Sequence, residues 1–98
     1  MTLKYLVPEK LASYKPDFVL PDQNLYVETK GQFRPEDRKK MLLVKEQYPD
    51  KQFLMVFGKP FNKISPRSRT TYAQWCDDHG LKWVSIDDVM NMIQGEAL

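Results

Sequence analysis

Two short apolar runs, separated by a cluster of turn-forming residues, constrain the fold of this chain more than any other feature. The first run is Phe18-Val19-Leu20, the second extends from Leu25 to Thr29, and Pro21-Asp22-Gln23-Asn24 lies between them. Proline, aspartate and asparagine in close succession favour a reversal of the chain. The segment therefore predicts a β-hairpin, in which Asp17 at the start of the first strand lies beside Glu28 near the end of the second.

Charged residues alternate with other residues along the second run. Because alternate side chains of a strand share a face, we expect Glu28 and Lys30 on one face. The opposite face carries Leu25, Val27 and Thr29. We expect this apolar face to be buried, while the other face carries the acid and the base. Alternating charges are common on exposed strands, so this pattern indicates function only together with the preceding aspartate and the turn.

The two carboxylates of this hairpin indicate metal chemistry. Asp17 and Glu28 would repel each other unless a cation binds between them, and carboxylate oxygens suit Mg²⁺, with Mn²⁺ as a substitute. Such an ion can polarise a phosphate oxygen, activate a bound water and stabilise a departing 3′ oxygen. Lys30 could orient or deprotonate the water, or offset charge on the phosphorus. Partly buried beside a metal ion, Lys30 is expected to have the lowered pKa that a base requires.

Seven segments carry a family resemblance, in matching order and with similar spacing. They are Tyr14-Lys15-Pro16-Asp17-Phe18, Val27-Glu28-Thr29-Lys30-Gly31, Asp37-Arg38-Lys39-Lys40 with Leu42-Leu43, Glu46-Gln47-Tyr48-Pro49, Val56-Phe57, Cys76, and His79-Gly80-Leu81-Lys82. On these segments the chain resembles the phage endonuclease I family, the Holliday-junction resolvases of the PD-(D/E)xK nucleases. The resemblance implies a restriction-endonuclease-like α/β fold, with a mixed β-sheet flanked by helices. It also implies that Asp17 and Glu28 bind metal together with the backbone carbonyl of Thr29, and that Lys30 assists the chemistry.

One element of the family has no evident counterpart. Members also use a glutamate on an N-terminal helix, which a domain-swapped dimer places in the partner's active site. We expect no such helix here, because only 16 residues precede Asp17 and Leu3 to Val7 has the pattern of a strand. Glu9 is the only acid before Asp17, and it is a further candidate metal ligand if a loop over residues 8–13 folds back. Otherwise the acid comes from another polypeptide, is dispensable, or its loss leaves a weak or inactive nuclease.

Basic residues cluster in two segments although the formal net charge is only +2. Both clusters are candidate DNA contacts, because phosphates supply most of the affinity for DNA. The alternative is a solvated helix end and a solubilising loop. The candidates are Arg34, Arg38, Lys39 and Lys40 in the first segment, and Lys59, Lys63, Arg67 and Arg69 in the second.

Length and composition exclude several other classes. We expect the 98 residues to form a single nuclease-like domain, residues 1–98. The single cysteine excludes an internal disulfide and fits a reducing cytoplasm. If the chain is phage-encoded, as the resemblance implies, this is the cytoplasm of the infected bacterial host. One cysteine and one histidine argue against structural zinc, so we expect Cys76 to be packed inside rather than paired with His79. No apolar run has the length of a membrane span.

The remaining patterns predict alternating helices and strands. After the hairpin we expect a helix from Pro35 to Tyr48, a central strand from Gln52 to Phe57 and a functional loop from Lys59 to Arg69. A capping box predicts a second helix from Tyr72 to His79, followed by a strand from Lys82 to Val84. A last helix is expected after Ser85 and through Gly95. The aromatic residues Tyr48, Trp75 and Trp83 are expected in the core rather than as platforms for bases.

Three functions remain open on the sequence. The first is a Mg²⁺-dependent, structure-selective endonuclease that cuts branched double-stranded DNA as a homodimer, since two cuts at a four-way junction need two active sites. The second is a catalytically weak or inactive DNA-binding module that needs a partner chain for cleavage. The third is a monomeric nuclease of general specificity.

Overall fold

Six strands and three helices make up the computed structural model, which describes residues 1–7 and 10–96, and side chains within these ranges up to residue 91. The strands are β1 (Leu3–Val7), β2 (Lys10–Tyr14), β3 (Phe18–Leu20), β4 (Leu25–Lys30), β5 (Gln52–Phe57) and β6 (Lys82–Ser85). The helices are α1 (Pro35–Gln47), α2 (Tyr72–Asp78) and α3 (Ile86–Glu96). The helix and strand boundaries predicted after the hairpin lie within one residue of these.

The main sheet is mixed. Its four strands are ordered β3-β4-β5-β6; β3 is antiparallel to β4, while β4, β5 and β6 run parallel. Parallel strands need a crossover, which α1 supplies between β4 and β5 and α2 supplies between β5 and β6. The predicted α/β fold with a mixed sheet flanked by helices is confirmed.

The prediction of a loop after β1 was wrong for residues 10–13, which with Tyr14 form a strand. They form β2, which pairs antiparallel with β1 in a separate two-stranded sheet, from Leu3 opposite Tyr14 to Val7 opposite Lys10. Lysine, alanine and serine have low strand propensity, so this segment shows no strand pattern of its own. It becomes a strand because β1 offers it a hydrogen-bonding partner.

The predicted hairpin of β3 and β4 is present. Pro21–Gln23 form one 3₁₀ turn, and Asn24 follows in the left-handed conformation at φ 52°. Asparagine is one of the few side chains that tolerates this conformation. The turn sets the register, with Phe18 opposite Val27, and Asp17 therefore comes opposite Glu28 where the pairing ends.

The main core lies on the sheet face that carries Glu28 and Lys30. Tyr26 on β4 shares the face of Glu28 by alternation, and it packs against Phe53 on β5 with ring centroids 5.6 Å apart. On the same face, Phe57 packs against Phe33, before α1, and against Tyr72 on α2. α1, α2 and the β1–β2 hairpin thus cover the side that carries the acid, and Val27 on the predicted apolar face is buried as well.

Local signals position the helices as predicted. The Thr71 hydroxyl accepts a hydrogen bond from the Gln74 N–H at the start of α2, and Ser85 accepts one from Asp88 at the start of α3. Gly80, at φ 70°, adopts the left-handed conformation after α2, where glycine avoids steric strain. Within residues 1–7 and 10–96, no helix has both the length and the apolar character needed to cross a bilayer.

Candidate active site

The predicted catalytic residues meet at one edge of the main sheet. Lys30, Phe57 and Ser85 end the three parallel strands in register, so the carboxyl ends of β4, β5 and β6 form a common edge. Glu28 and Lys30 are among the last residues of β4, and Asp17 directly precedes β3. In open α/β sheets ligands bind outside this edge, so the site lies where a substrate can reach it.

Asp17 is held by Thr29, which lies between Glu28 and Lys30 on β4. Its Oδ2 accepts hydrogen bonds from both the backbone N–H and the hydroxyl of Thr29, each at 2.8 Å. The Thr29 N–H is the largest influence on the pKa of Asp17. Together with the Thr29 hydroxyl and the charge of Lys30 it outweighs the opposing effect of burial, and the pKa is lowered. Asp17 is therefore an ionised, exposed carboxylate with Oδ2 anchored.

Glu28 lies in the opposite environment. It is only 8% exposed, and its Oε2 accepts a hydrogen bond from the hydroxyl of Tyr14 at 3.1 Å. Burial and then the charge of Asp17 raise its pKa, although Lys30 and Tyr14 act against the shift. The two carboxylates therefore repel each other in the protein alone.

Lys30 lies between two acids. Its Nζ is 3.3 Å from Asp37 Oδ1, at the start of α1, and 3.5 Å from Glu28 Oε1. Burial alone would lower the pKa of Lys30, but the hydrogen bonds and charges of Asp37 and Glu28 outweigh it, and the pKa is raised. This raised pKa is that of Lys30 in the protein without a bound cation. A lowered pKa beside a metal ion stays a prediction.

The donor set fits a hard divalent cation. Asp17 and Glu28 offer carboxylate oxygens at one place, and a cation there would relieve the repulsion that raises the pKa of Glu28. Across residues 1–7 and 10–96, no three acidic, histidine or cysteine side chains come together as a larger ligand group. Glu9 lies outside the described residues, so its proposed contact stays a prediction. The part of the Thr29 carbonyl also stays a prediction.

The two basic segments lie next to each other. Arg38 on α1 donates to the Phe33 carbonyl at 2.6 Å and, at a longer 3.5 Å, to the carbonyl of Ile64 in the loop after β5. That loop is ordered by backbone hydrogen bonds, including Ile64 N–H to Thr70 and Tyr72 N–H to Asn62. It leaves β5 at the same sheet edge as the carboxylates. The candidate basic residues of the two segments, around α1 and in the loop, therefore lie beside the candidate site. We refer to these residues together as the basic border.

The members of this border differ in what they can offer to DNA. Arg38 is half-buried and directed at main-chain carbonyls, so it first serves to join α1 to the loop. Arg34 is exposed and donates twice to the Gln32 side chain. Lys40 is half-buried beneath β1. The remaining candidates are exposed: Lys39, Lys59, Lys63, Arg67 and Arg69.

Comparison with known proteins decides the family. The family model described as phage endonuclease I matches residues 1–92. The chain belongs to the phage endonuclease I family. It is 40% identical over 79 residues to Endodeoxyribonuclease 1 of Enterobacteria phage T3, covering 81% of this chain and 51% of that protein. It is equally identical over 79 residues to Endonuclease I of Escherichia phage T7, covering 81% of this chain and 52% of that protein. The chain thus spans about half the length of these relatives.

Three residues that support the candidate site were not identified from the sequence. They are Tyr14, which holds Glu28; the Thr29 side chain, which holds Asp17; and Asp37, which holds Lys30. Each lies inside a segment that carries the family resemblance. Their place in these segments could have marked the three residues as candidates. Which residue each of them contacts, however, depends on how the strands and helices pack.

Cys76 does not form a dyad with His79 in this family member. The thiol is fully buried in the core, and burial is the main cause that raises its pKa to about 12. The His79 ring instead stacks on Trp75, and its Nδ1 lies 2.8 Å from the Trp75 carbonyl. The expectation that Cys76 is packed inside and that His79 ends a helix is confirmed.

The three aromatic residues expected in the core pack there to different degrees. Trp75 is buried between Phe33 and His79. Tyr48 and Trp83 are partly buried against the core cluster.

Proposed function

We propose that this chain carries the nuclease site of a Mg²⁺-dependent, structure-selective endonuclease that cuts branched double-stranded DNA such as Holliday junctions. The observation that carries the proposal is the convergence of Asp17, Glu28 and Lys30 at the carboxyl edge of the parallel strands. Membership in the phage endonuclease I family and the names of two relatives support a DNA endonuclease. In the infected bacterial cytoplasm Mg²⁺ would be the cation, with Mn²⁺ as a substitute.

Asp17 and Glu28 would hold the cation, with the Thr29 carbonyl as a further ligand. When bound, such an ion polarises phosphate oxygens and lowers the pKa of a coordinated water. Asp17 brings a full negative charge, since its pKa is lowered. Glu28 brings a carboxylate whose repulsion with Asp17 a cation would relieve.

Lys30 would act as a fixed positive charge. Its raised pKa keeps it protonated at neutral pH, and Asp37 holds its Nζ beside Glu28. Of the roles considered for this lysine, orienting water and offsetting charge on the phosphate therefore fit better than removing a proton. A protonated lysine donates hydrogen bonds and accepts none.

The basic border beside the site would position the DNA. Its exposed lysines and arginines suit phosphates, which carry no sequence information, so recognition would depend on the shape of the DNA backbone. A four-way junction is cut in two strands, which calls for two active sites. A symmetric homodimer of this chain, or of a longer chain that contains it, would supply both.

Cleavage of matched substrates tests the proposal. The purified chain is incubated with a synthetic four-way junction and with a linear duplex of the same arm sequence, with and without Mg²⁺. We expect Mg²⁺-dependent cutting of the junction in preference to the duplex, and a loss of about 100-fold or more for Lys30→Ala, in line with loss of an electrostatic donor. Lys82→Ala is the matched control, because Lys82 begins β6 at the opposite edge of the sheet. Cleavage that survives Lys30→Ala unchanged would remove the proposal.

One observation favours a second candidate, a DNA-binding module that needs a partner chain for cleavage. Among the described residues, no third acid joins Asp17 and Glu28 in a group that could hold a metal ion. The same assay separates the two functions. Tight junction binding without strand scission in Mg²⁺ or Mn²⁺ would support the binding module, and equal cutting of both substrates would support a nuclease of general specificity.

A further inference from the structure

We propose that Tyr14 is a positioning residue of the nuclease site, which holds the Glu28 carboxylate so that its other oxygen serves the cation. The inference rests on the proposed function, because it assigns a task to Tyr14 only where Glu28 binds metal. It concerns the affinity for the ion rather than contact with DNA.

The two oxygens of Glu28 have different partners. Oε2 accepts the hydrogen bond from the Tyr14 hydroxyl at 3.1 Å, and Oε1 is 3.5 Å from Lys30 Nζ. The hydrogen bond opposes rotation of the carboxylate, so Oε1 stays on the side of Lys30. Thr29 holds the Asp17 carboxylate in a similar way, because its N–H and its hydroxyl both donate hydrogen bonds to Oδ2. Within the described part of the chain, each carboxylate therefore has one oxygen anchored by donors from a single neighbouring residue.

Tyr14 is itself rigidly placed. It is 2% exposed, and its ring meets Phe53 edge-on, with centroids 6.1 Å apart at 65°. Phe53 is fixed in turn by Tyr26 on the neighbouring strand. Tyr14 ends β2 opposite Leu3, three residues before Asp17, so one short segment carries both an acid of the site and the residue that orients the other acid.

A buried tyrosine needs an acceptor for its hydroxyl, which could explain the contact without any role in metal binding. The geometry points further, because the acceptor is a buried carboxylate of the site rather than a main-chain carbonyl. Partners that orient a ligand typically change metal affinity by about 10–100-fold when removed. A purely structural contact would change the stability of the fold and leave the affinity alone.

Tyr14→Phe tests this, because it removes one oxygen and keeps the ring against Phe53. We expect Mn²⁺ binding, measured by titration calorimetry and by the electron paramagnetic resonance of free Mn²⁺, to weaken by about tenfold or more. Cleavage of the junction should fall at low Mg²⁺ and recover at high Mg²⁺, while the KM for DNA stays unchanged. Tyr5→Phe is the matched control, since Tyr5 is also a buried tyrosine of the β1–β2 hairpin.

The outcomes separate this inference from the proposed function. If the unaltered chain binds Mn²⁺ and Tyr14→Phe binds it equally well, the positioning role is overturned and the proposed function stands. If the unaltered chain binds no Mn²⁺, both are overturned. A thermal unfolding midpoint that falls for Tyr14→Phe with no change in Mn²⁺ affinity would identify a structural hydrogen bond and also overturn the inference.

Discussion

At the scale of single residues, the two carboxylates of the site differ more than their sequence context indicates. Asp17 is exposed and its pKa is lowered, chiefly by the Thr29 N–H. Glu28 is buried and its pKa is raised, chiefly by burial and then by Asp17. An acid whose pKa is raised on folding contributes stability at low pH. That contribution is lost as the pH rises from 4.5, the pKa of glutamate in the unfolded chain, through the higher pKa of Glu28 in the folded protein. The raised pKa of Glu28 therefore makes the metal-free protein less stable as the pH rises above 4.5.

Glu28→Gln should consequently stabilise the metal-free protein at pH 7 while removing metal binding. The amide has no charge to desolvate, and its oxygen can still accept from Tyr14. The thermal midpoint should rise, by about 4–8 °C for each 1 kcal/mol in a domain of this size. Added Mg²⁺ should raise the midpoint of the unaltered chain but leave that of the variant unchanged. The measurement is thermal unfolding by circular dichroism with and without Mg²⁺.

The difference should vanish at low pH. Near pH 4 the unaltered Glu28 is protonated, so its midpoint should approach that of Glu28→Gln. Glu46→Gln, on the exposed side of α1, is the control and should behave like the unaltered chain at both pH values. A variant that is less stable at pH 7 would contradict the view that Glu28 is held ionised at a cost to folding.

At the scale of elements, the first turn of α1 connects the site to the basic loop. Asp37 caps the helix by accepting from the Arg34 N–H at 3.1 Å, and its other oxygen holds Lys30. The next residue, Arg38, donates to Phe33 and Ile64 carbonyls. Consecutive residues of one helical turn thus fix Lys30 and the loop. This explains why Arg38, which the sequence analysis named as a candidate DNA contact, is partly buried.

Arg38→Ala should therefore destabilise the fold rather than act only on DNA. Hydrogen bonds from a charged donor contribute about 1.5–3 kcal/mol, and the variant leaves the Phe33 carbonyl without this partner. Lys39→Ala is the matched control, because Lys39 is exposed and loses the same charge; we expect a change within about 0.5 kcal/mol. Urea unfolding measures both. Equal free energies of unfolding for the two variants would show that Arg38 has no structural role.

At the scale of the whole molecule, charge is arranged around one edge of the main sheet. The acids, Lys30, the start of α1 and the start of the loop after β5 all lie at the carboxyl end of the parallel strands. An acidic site that acts on a polyanion needs nearby cations to offset repulsion. The modest net charge of +2 therefore says less about DNA binding than the placement of the charges does.

Placement rather than total charge should control DNA binding. The double variant Arg67→Ala/Arg69→Ala and the double variant Lys10→Ala/Lys82→Ala each lower the formal net charge by two, from +2 to 0. We expect only the loop variant to weaken junction binding. Its slope of log K against log salt should be less steep by about 1–2, because the slope follows the number of phosphates contacted. Fluorescence anisotropy at several salt concentrations measures the slopes, and equal slopes for the two variants would rule out loop contacts.

Local sequence rules predicted most of the elements, because their signals act over few residues. Proline and asparagine predicted the β3–β4 turn, and Thr71 and Gly80 delimited α2. Local rules failed for β2, because its lysine, alanine and serine have low strand propensity and the segment forms a strand only by pairing with β1. They also did not show that the main core covers the face of β4 with the acid, since alternation shows which side chains share a face but not which face the helices cover.

The sequence by itself determined the mixed α/β sheet, the family, and the hairpin that places Asp17 opposite Glu28. These follow from alternation, turn chemistry and collinear matching segments, all of which are local or linear properties. Only the tertiary structure decided the environment of each group: Tyr14 against Glu28, Asp37 against Lys30, and Arg38 turned inward. These contacts join residues from different elements, and burial and charge attraction, which set the pKa values, depend on that packing.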